Sequence, residues 1–319
     1  MSGASGAVAA ESGYLVSNQT LRSALVAPSE AARLRPLGSA SAVELAVVRT
    51  WNRYGGLVGE LAGRVGIEPA AAIGVVCVES GGEAFGPDGR PTIRFESHVF
   101  RRSLPARLLP AFDRWFRIGG AQPWLGHTFR PTLRAPWTSF HGAQRLEWRA
   151  YEVACDIDED AATRSISVGL AQVMGFNHAL VGYATPRAML AAMSEDVRPQ
   201  LIALFDFIAG PERTRPAVVA LRRGDLERFA AIYNGAGQAQ HYAALIETHI
   251  AAFRGLSQVS SPRSSASEPH RYTVRHGDTL SSIARRAGTT VVSLARTNRI
   301  EDVDRIVVGQ VIVTPRRVE

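Results

Sequence analysis

The residue in this chain best placed to do chemistry is Glu79. It closes an apolar run from Ala70 to Val78 and is followed by Ser80, Gly81 and Gly82, so a helix almost without polar groups delivers a carboxylate where the chain breaks. A carboxyl on the last turn of a buried helix loses hydration and faces the negative end of the helix dipole, and both effects favour its protonated form. A proton held near neutral pH is what a general acid needs. The alternative reading of Glu79 alone is a solvated residue at a helix end.

The elements that position it can be read from spacing. Ser41 and Glu44 form a Ser-x-x-Glu capping box, which opens a helix running to about Val65, with Gly55 and Gly56 expected to bend its middle. A second helix, from Pro69 to Ser80, bears Glu79. The chain then turns at Pro87-Asp88-Gly89, and Thr92 to Glu96 reads as a short extended segment.

Three further stretches turn this single residue into a pattern. Glu79-Ser80-Gly81, Gly169-Leu170-Ala171-Gln172-Val173-Met174 and Ala231-Ile232-Tyr233-Asn234-Gly235-Ala236-Gly237 occur in the order found in goose-type lysozymes and lytic transglycosylases. The strings Pro87-Asp88-Gly89-Arg90-Pro91, Phe95-Glu96-Ser97-His98 and Met174-Gly175-Phe176-Asn177-His178 resemble the N-acetylmuramidase family of phage-type endolysins, over roughly Val43 to Arg254. The resemblance implies a mainly α, lysozyme-like α+β catalytic domain with a small hairpin after the catalytic helix. It implies Glu79 and Glu96 as catalytic carboxyls across a cleft, and Ser80, His98, Gln172, Met174, Tyr233 and Asn234 as substrate-binding residues. Carboxyls ~6.5 to 9.5 Å apart would mean inversion, and ~5 Å retention; the other reading of Glu96 is a salt bridge to Arg94 or Arg101. Gln172 equally suits a buried tie between two loops. Val168 stands where family members often carry tryptophan, which removes a stacking surface.

From Phe100 to Trp148 the chain is irregular and aromatic; its rings could line sugar subsites or fill a core. His127 and His141 lie here, but no His-Glu-x-x-His or Cys-x-x-Cys spacing accompanies them, so no metal and no cofactor are expected. Helices are expected at Glu147 to Ala162, Pro186 to Met193, Glu195 to Ala209, Asp225 to Tyr233 and Gln238 to Arg254.

Residues 256–270 read as a Ser/Pro-rich linker, flexible enough to reach on the order of 20 Å. Beyond it, Val274-Arg275-His276-Gly277-Asp278-Thr279-Leu280, Asn298 and Val308-Gly309-Gln310-Val311-Ile312 are similar to LysM domains, a βααβ module whose family binds N-acetylglucosamine-containing glycans. That resemblance, over 271–319, implies a groove formed by Gly277, Asp278, Thr279 and Leu280 facing Arg305 and Ile306. Asp278 is also placed to cap the module's first helix. Residues 1–40 read as a loosely structured leader with one short helix near Leu21, leaving 41–255 as the catalytic domain.

Composition bounds the partners. The 319 residues are 46% hydrophobic and 20% charged, as in a globular protein, and no apolar run approaches the ~20 residues of a membrane span. The net charge of +7, all of its basic residues being arginine, suits an anionic polymer; no nucleic-acid motif accompanies it. Two cysteines make no disulfide framework. The expected partner is peptidoglycan, the expected state a monomer. With no secretory signal visible, the expected route is storage in the host cytoplasm and release to the periplasm and cell wall. The expected reaction is hydrolysis of the β-1,4 bond between N-acetylmuramic acid and N-acetylglucosamine by an endolysin. A lytic transglycosylase, a secreted antibacterial effector and a non-catalytic wall-binding protein are the alternatives.

Overall fold

The computed structural model describes residues 15–36, 38–120, 122–210, 215–260, 270–300, 302–315 and 318. The chain divides into two units, Met1–Ser260 and Ser261–Glu319. In the first, a short 3-10 turn (Leu15–Ser17) and α1 (Gln19–Ser23) precede α2 (Ala42–Val65) and α3 (Pro69–Ser80). Ser41 and Glu44 close the capping box on α2 reciprocally. Every residue of α3 from Ala70 to Cys77 is buried, and α3 packs between α2 and a late helix, α12 (Ala239–Ser260). A helix surrounded in this way cannot be amphipathic, which is why its sequence has no polar face. Gly74 lets the two backbones approach: a Cβ there would lie 3.1 Å from the Ile246 carbonyl oxygen.

Between them the chain forms β1 (Ile93–Phe95), α4 (Ser97–Ser103), α5 (Leu109–Trp115), the strands β2 (Phe116–Arg117), β3 (Thr128–Phe129) and β4 (Thr138–Ser139), then α6 (Gln144–Cys155) and α7 (Glu159–Arg164). There follow β5 (Ile166–Val168), β6 (Val173–Met174), α8 (Pro186–Glu195), α9 (Val197–Ala209), α10 (Arg215–Arg223) and α11 (Leu226–Tyr233). The protein is mainly helical with small antiparallel sheets. The hairpin differs from the expected local one: it is β5–β6, and β1 joins it from far upstream, with Ile93 opposite Val168 and Phe95 opposite Ile166.

Phe95, Phe100, Phe112, Phe116, Phe129 and Phe140 are all fully buried and in ring contact with one another, joining β1, α4, α5 and β2–β4. The aromatic stretch is thus largely core. The guanidinium groups of Arg117 and Arg130 lie 4.1 and 4.8 Å from the ring centre of Trp137.

Several expectations need correction. Residues 15–36 are not a loose leader: Val16, Leu21 and Leu34 are buried, and the Leu15 and Val16 amides donate to the Asp206 carboxylate at 2.5 and 3.0 Å. Residues 1–14 and 261–269 lie outside the described part. The start of the expected linker continues α12, held by the buried Leu256. The single helix expected over 147–162 is two, because Asp158 caps a new one by accepting from the Ala161 amide. Helix α10 was not expected; its short length and three arginines masked the buried face made by Ala217, Val218, Ala220 and Leu221.

The second unit has the order β7 (His270–Thr273), α13 (Leu280–Arg286), α14 (Val291–Asn298), β8 (Val311–Thr314), with the two strands antiparallel. Tyr272, Val274, Leu280, Ile283, Leu294 and Ile312 form its own core. Thr279, not Asp278, caps α13, in a capping box with Ser282. Asp278 instead accepts from the Tyr272 hydroxyl, the Arg275 amide and Arg286.

Candidate active site

Glu79 sits on the last turn of α3, which Gly81 ends in the left-handed conformation at φ 63°. Only a residue without Cβ adopts that turn at no steric cost, and the helix therefore stops one residue past Ser80. The carboxyl of Glu79 is mostly buried, and burial pushes its pKa up to about 7. The side-chain amide Nδ2 of Asn234, at the end of α11, donates to Glu79 Oε1 at 2.6 Å and opposes that rise. Oε1 thus serves as an acceptor, and the proton of the neutral acid resides on Oε2. The other end of the Asn234 amide, Oδ1, is a buried acceptor without a protein partner.

Tyr233 lies beside the same carboxyl. Its ring stacks on Phe229 and meets Phe207 edge-on, its hydroxyl donates to the Ala171 carbonyl at 2.7 Å, and burial followed by the nearby Glu79 charge drives its pKa well up. Tyr233 thereby ties α11 to the Gly169–Met174 segment. Tyr242, on α12, was missed by sequence reasoning: burial first and then Glu79 raise its pKa, and Arg94 and Glu96 also act on it. No motif marks it, since only the packing of α12 on α3 brings it there.

The Gln172 segment is shaped by strain and close approach. Gln172 has φ 47°, a conformation side chains disfavour, and it is held there at both ends: Nε2 donates to the Gly169 carbonyl at 2.8 Å and Oε1 accepts from the Ser167 hydroxyl at 2.6 Å. This is the loop-tying reading of Gln172. Gly169, at φ 72°, is pressed against Gln200, whose amide oxygen would lie 2.5 Å from a Cβ and accepts from the Leu170 amide. Met174 pairs with Ser167 across β5–β6 and is half-buried. The Ser80 hydroxyl is spent inside α3, donating to the Val76 carbonyl at 3.0 Å.

Glu96 and His98 belong to a different group of side chains. Arg94 Nε donates to Glu96 Oε1 at 2.7 Å, which is the salt-bridge reading. Glu96 Oε2 is 3.4 Å from His98 Nδ1 and 3.9 Å from His127 Nδ1. The pKa of Glu79 is raised by burial and lowered by the hydrogen bond from Asn234; both Glu79 and Glu96 raise the pKa of Tyr242. Glu96, His98 and His127 also present one ligand atom each within 4.8 Å of one another. Among the described residues, no helix is long and apolar enough to cross a membrane.

In the second unit, Gly277 (φ 85°), Thr279 and Arg305 are exposed and Ile306 is half-buried. Leu280 is 1% exposed and in the module's core, so it is withdrawn from the expected groove.

The sequence profile of the N-acetylmuramidase family matches residues 68–254, more than half of the chain. The chain belongs to the N-acetylmuramidase family. It is a glycoside hydrolase of peptidoglycan, and the LysM profile matches residues 272–315, adding a wall-binding module. Among solved structures the muramidase is similar to the crystal structure of Burkholderia AP3 phage endolysin, at 27% identity and a TM-score of 0.48, over 62% of this chain and 69% of that one. No curated protein matches.

Proposed function

We propose that this muramidase cleaves the β-1,4 bond between N-acetylmuramic acid and N-acetylglucosamine, with Glu79 as general acid. One observation carries the reading: the mostly buried Glu79 holds its proton to about pH 7 while Asn234 occupies Oε1, leaving protonated Oε2 for the leaving oxygen. Proton donation by such a group contributes roughly 10²- to 10⁴-fold. The unpartnered Asn234 Oδ1 suits the N–H of a sugar acetamido group. Tyr233 and Gln172 hold the walls in place, and LysM raises the enzyme's effective concentration on the polymer. An endolysin that reaches the wall from the host cytoplasm and works as a monomer fits this reading.

A second reading has one observation in its favour. Glu96 Oε1 is engaged by Arg94 Nε at 2.7 Å, so the C6 hydroxyl of the muramic acid could capture the cation and give an anhydro product, as in a lytic transglycosylase. Mass spectrometry of soluble products from purified peptidoglycan, with wild type and Glu79→Gln in parallel, separates the cases. Reducing N-acetylmuramic acid ends that vanish with the variant support hydrolysis. Anhydro ends, lighter by one water, support the second reading. Equal release by both proteins removes Glu79 from the chemistry.

A further inference from the structure

The group around Glu96 presents a problem of proton placement. His127 Nε2 lies 2.8 Å from the Pro123 carbonyl oxygen, which only accepts, so that nitrogen carries the ring proton. His141 Nδ1 lies 2.9 Å from Glu147 Oε1; Glu147 is 2% exposed, and its Oε2 accepts from the Phe95 amide. That carboxylate is an acceptor at both oxygens, so His141 carries its proton on Nδ1. The remaining nitrogens, His127 Nδ1 and His141 Nε2, then face each other at 2.7 Å, so either a second proton on His141 or a cation must lie between them. Two lone pairs at that distance repel unless something positive lies against them.

The surroundings supply the rest of a coordination shell. Glu96 Oε2 is 3.9 Å from His127 Nδ1 and 3.4 Å from His98 Nδ1, and His98 Nδ1 is a buried ring nitrogen without a hydrogen-bond partner. Tetrahedral bonds of ~2.0 to 2.1 Å put ligand atoms about 3.3 Å apart, so Glu96, His98 and His127, with ligand atoms within 4.8 Å of one another, suit one ion; His141 Nε2, 2.7 Å from His127 Nδ1, lies outside that group and joins it only by swinging toward Glu96 and His98. The other Glu96 oxygen is held by Arg94, which orients Oε2 as a single donor.

We infer that Glu96, His98, His127 and His141 form a binding site for one zinc-type divalent cation. Three imidazoles and one carboxylate select a late first-row metal over calcium or magnesium. The back-bonds are those such a site uses: His127 donates to a main-chain carbonyl and His141 to a buried carboxylate, and both fix the tautomer that turns a lone pair inward. Four protein ligands leave no open position for substrate, which makes the site structural. Its ligands come from the junction of β1 with α4, from the residue before β3 and from the segment after β4. The ion clamps the three short strands β2–β4 to β1, where two-residue strands supply few hydrogen bonds of their own.

The experiment uses the full chain, stripped with a chelator and dialysed, then titrated with zinc alone by calorimetry and with cobalt(II) alone by visible absorption. The expected result is uptake of about one ion per chain with a rise in melting temperature, and the intense d–d bands of four-coordinate cobalt. His98→Ala abolishes the bands. Glu147→Gln, which alters the carboxylate behind His141 that also accepts from the Phe95 amide, weakens zinc roughly 10- to 100-fold, while Glu79→Gln binds as wild type. Circular dichroism checks that the variants are folded, and the cobalt spectrum of the unaltered chain needs no variant. A flat titration would leave a shared proton between His127 and His141 and overturn the site. Uptake unaffected by both His98→Ala and Glu147→Gln would place the ion elsewhere and overturn it equally.

Discussion

Asn234 donates to one oxygen of Glu79 at 2.6 Å, and that single bond decides which oxygen carries the acid's proton. It also holds the Glu79 pKa below the value that burial alone would impose. Asn234→Ala removes this restraint, so the alkaline limb of the activity profile moves to higher pH while turnover at the optimum falls roughly tenfold, the equivalent of one hydrogen bond to a charged group. Initial rates of wall solubilisation across pH measure both; an unmoved limb would show that the amide does not act on Glu79.

Glu79→Gln lowers turnover by about 10² to 10⁴, and wild-type activity falls as pH rises through about 7, where the acid ionises. Stability follows the same sign. The folded pKa is raised above the unfolded value, so the folded protein binds the extra proton between roughly pH 4.5 and 7, and stability present below that window is lost as pH rises through it. The loss is on the order of 3 kcal/mol. Denaturant titrations at pH 5 and 8 should show a smaller difference for Glu79→Gln than for wild type.

Asp206, 3% exposed, anchors the Leu15 and Val16 amides, and burial raises its pKa to about 6. Its contribution therefore also fades as pH rises from about 4 to beyond 6, again by on the order of 3 kcal/mol. In a Glu79→Gln background, which removes the other raised carboxyl, Asp206→Asn should flatten the fall in melting temperature over this range. A slope unchanged by the substitution would assign it to other groups.

Gly169→Ala combines a positive φ with a Cβ 2.5 Å from the Gln200 amide oxygen. The expected destabilisation is about 2 to 4 kcal/mol, read as a lower denaturation midpoint. Gly81→Ala, also at positive φ but with open space around it, should cost only about 1 kcal/mol. Equal costs at the two positions would show that the contact with Gln200 relaxes freely.

In the LysM unit the Asp278 carboxylate is held below its usual pKa by the Tyr272 hydroxyl and by the Arg275 amide and Arg286. A lowered pKa means stability present at neutral pH and lost as pH falls through the folded value. Asp278→Ala should lower the melting transition of this unit and remove its sensitivity to acid. A normal melting temperature with lost glycan binding would return Asp278 to a recognition role.

The sequence by itself determined the parts whose cause is local. The capping box at Ser41, the apolar run ending on Glu79, the glycines that stop α3 and the βααβ order after residue 270 are all written in adjacent residues, and each was legible. Asn234 and Tyr233 were found through their motif, and the pressure on the Glu79 proton followed from the apolar run before it. Tertiary structure alone decided what depends on distant segments meeting. Glu96 could be read as a partner of Arg94 but not of His98 and His127, because its place is set by β1 pairing with β5 and by the phenylalanine core under β2–β4. His127 and His141 lacked any metal-ligand spacing for the same reason: their nitrogens converge through a sheet of two-residue strands that carries almost no periodic signal. Tyr242 reaches the acid only because Gly74 lets α12 lie close on α3. Spacing along the chain reports what a helix or turn brings together, whereas these contacts arise from packing between elements, which burial and shape decide after the elements exist.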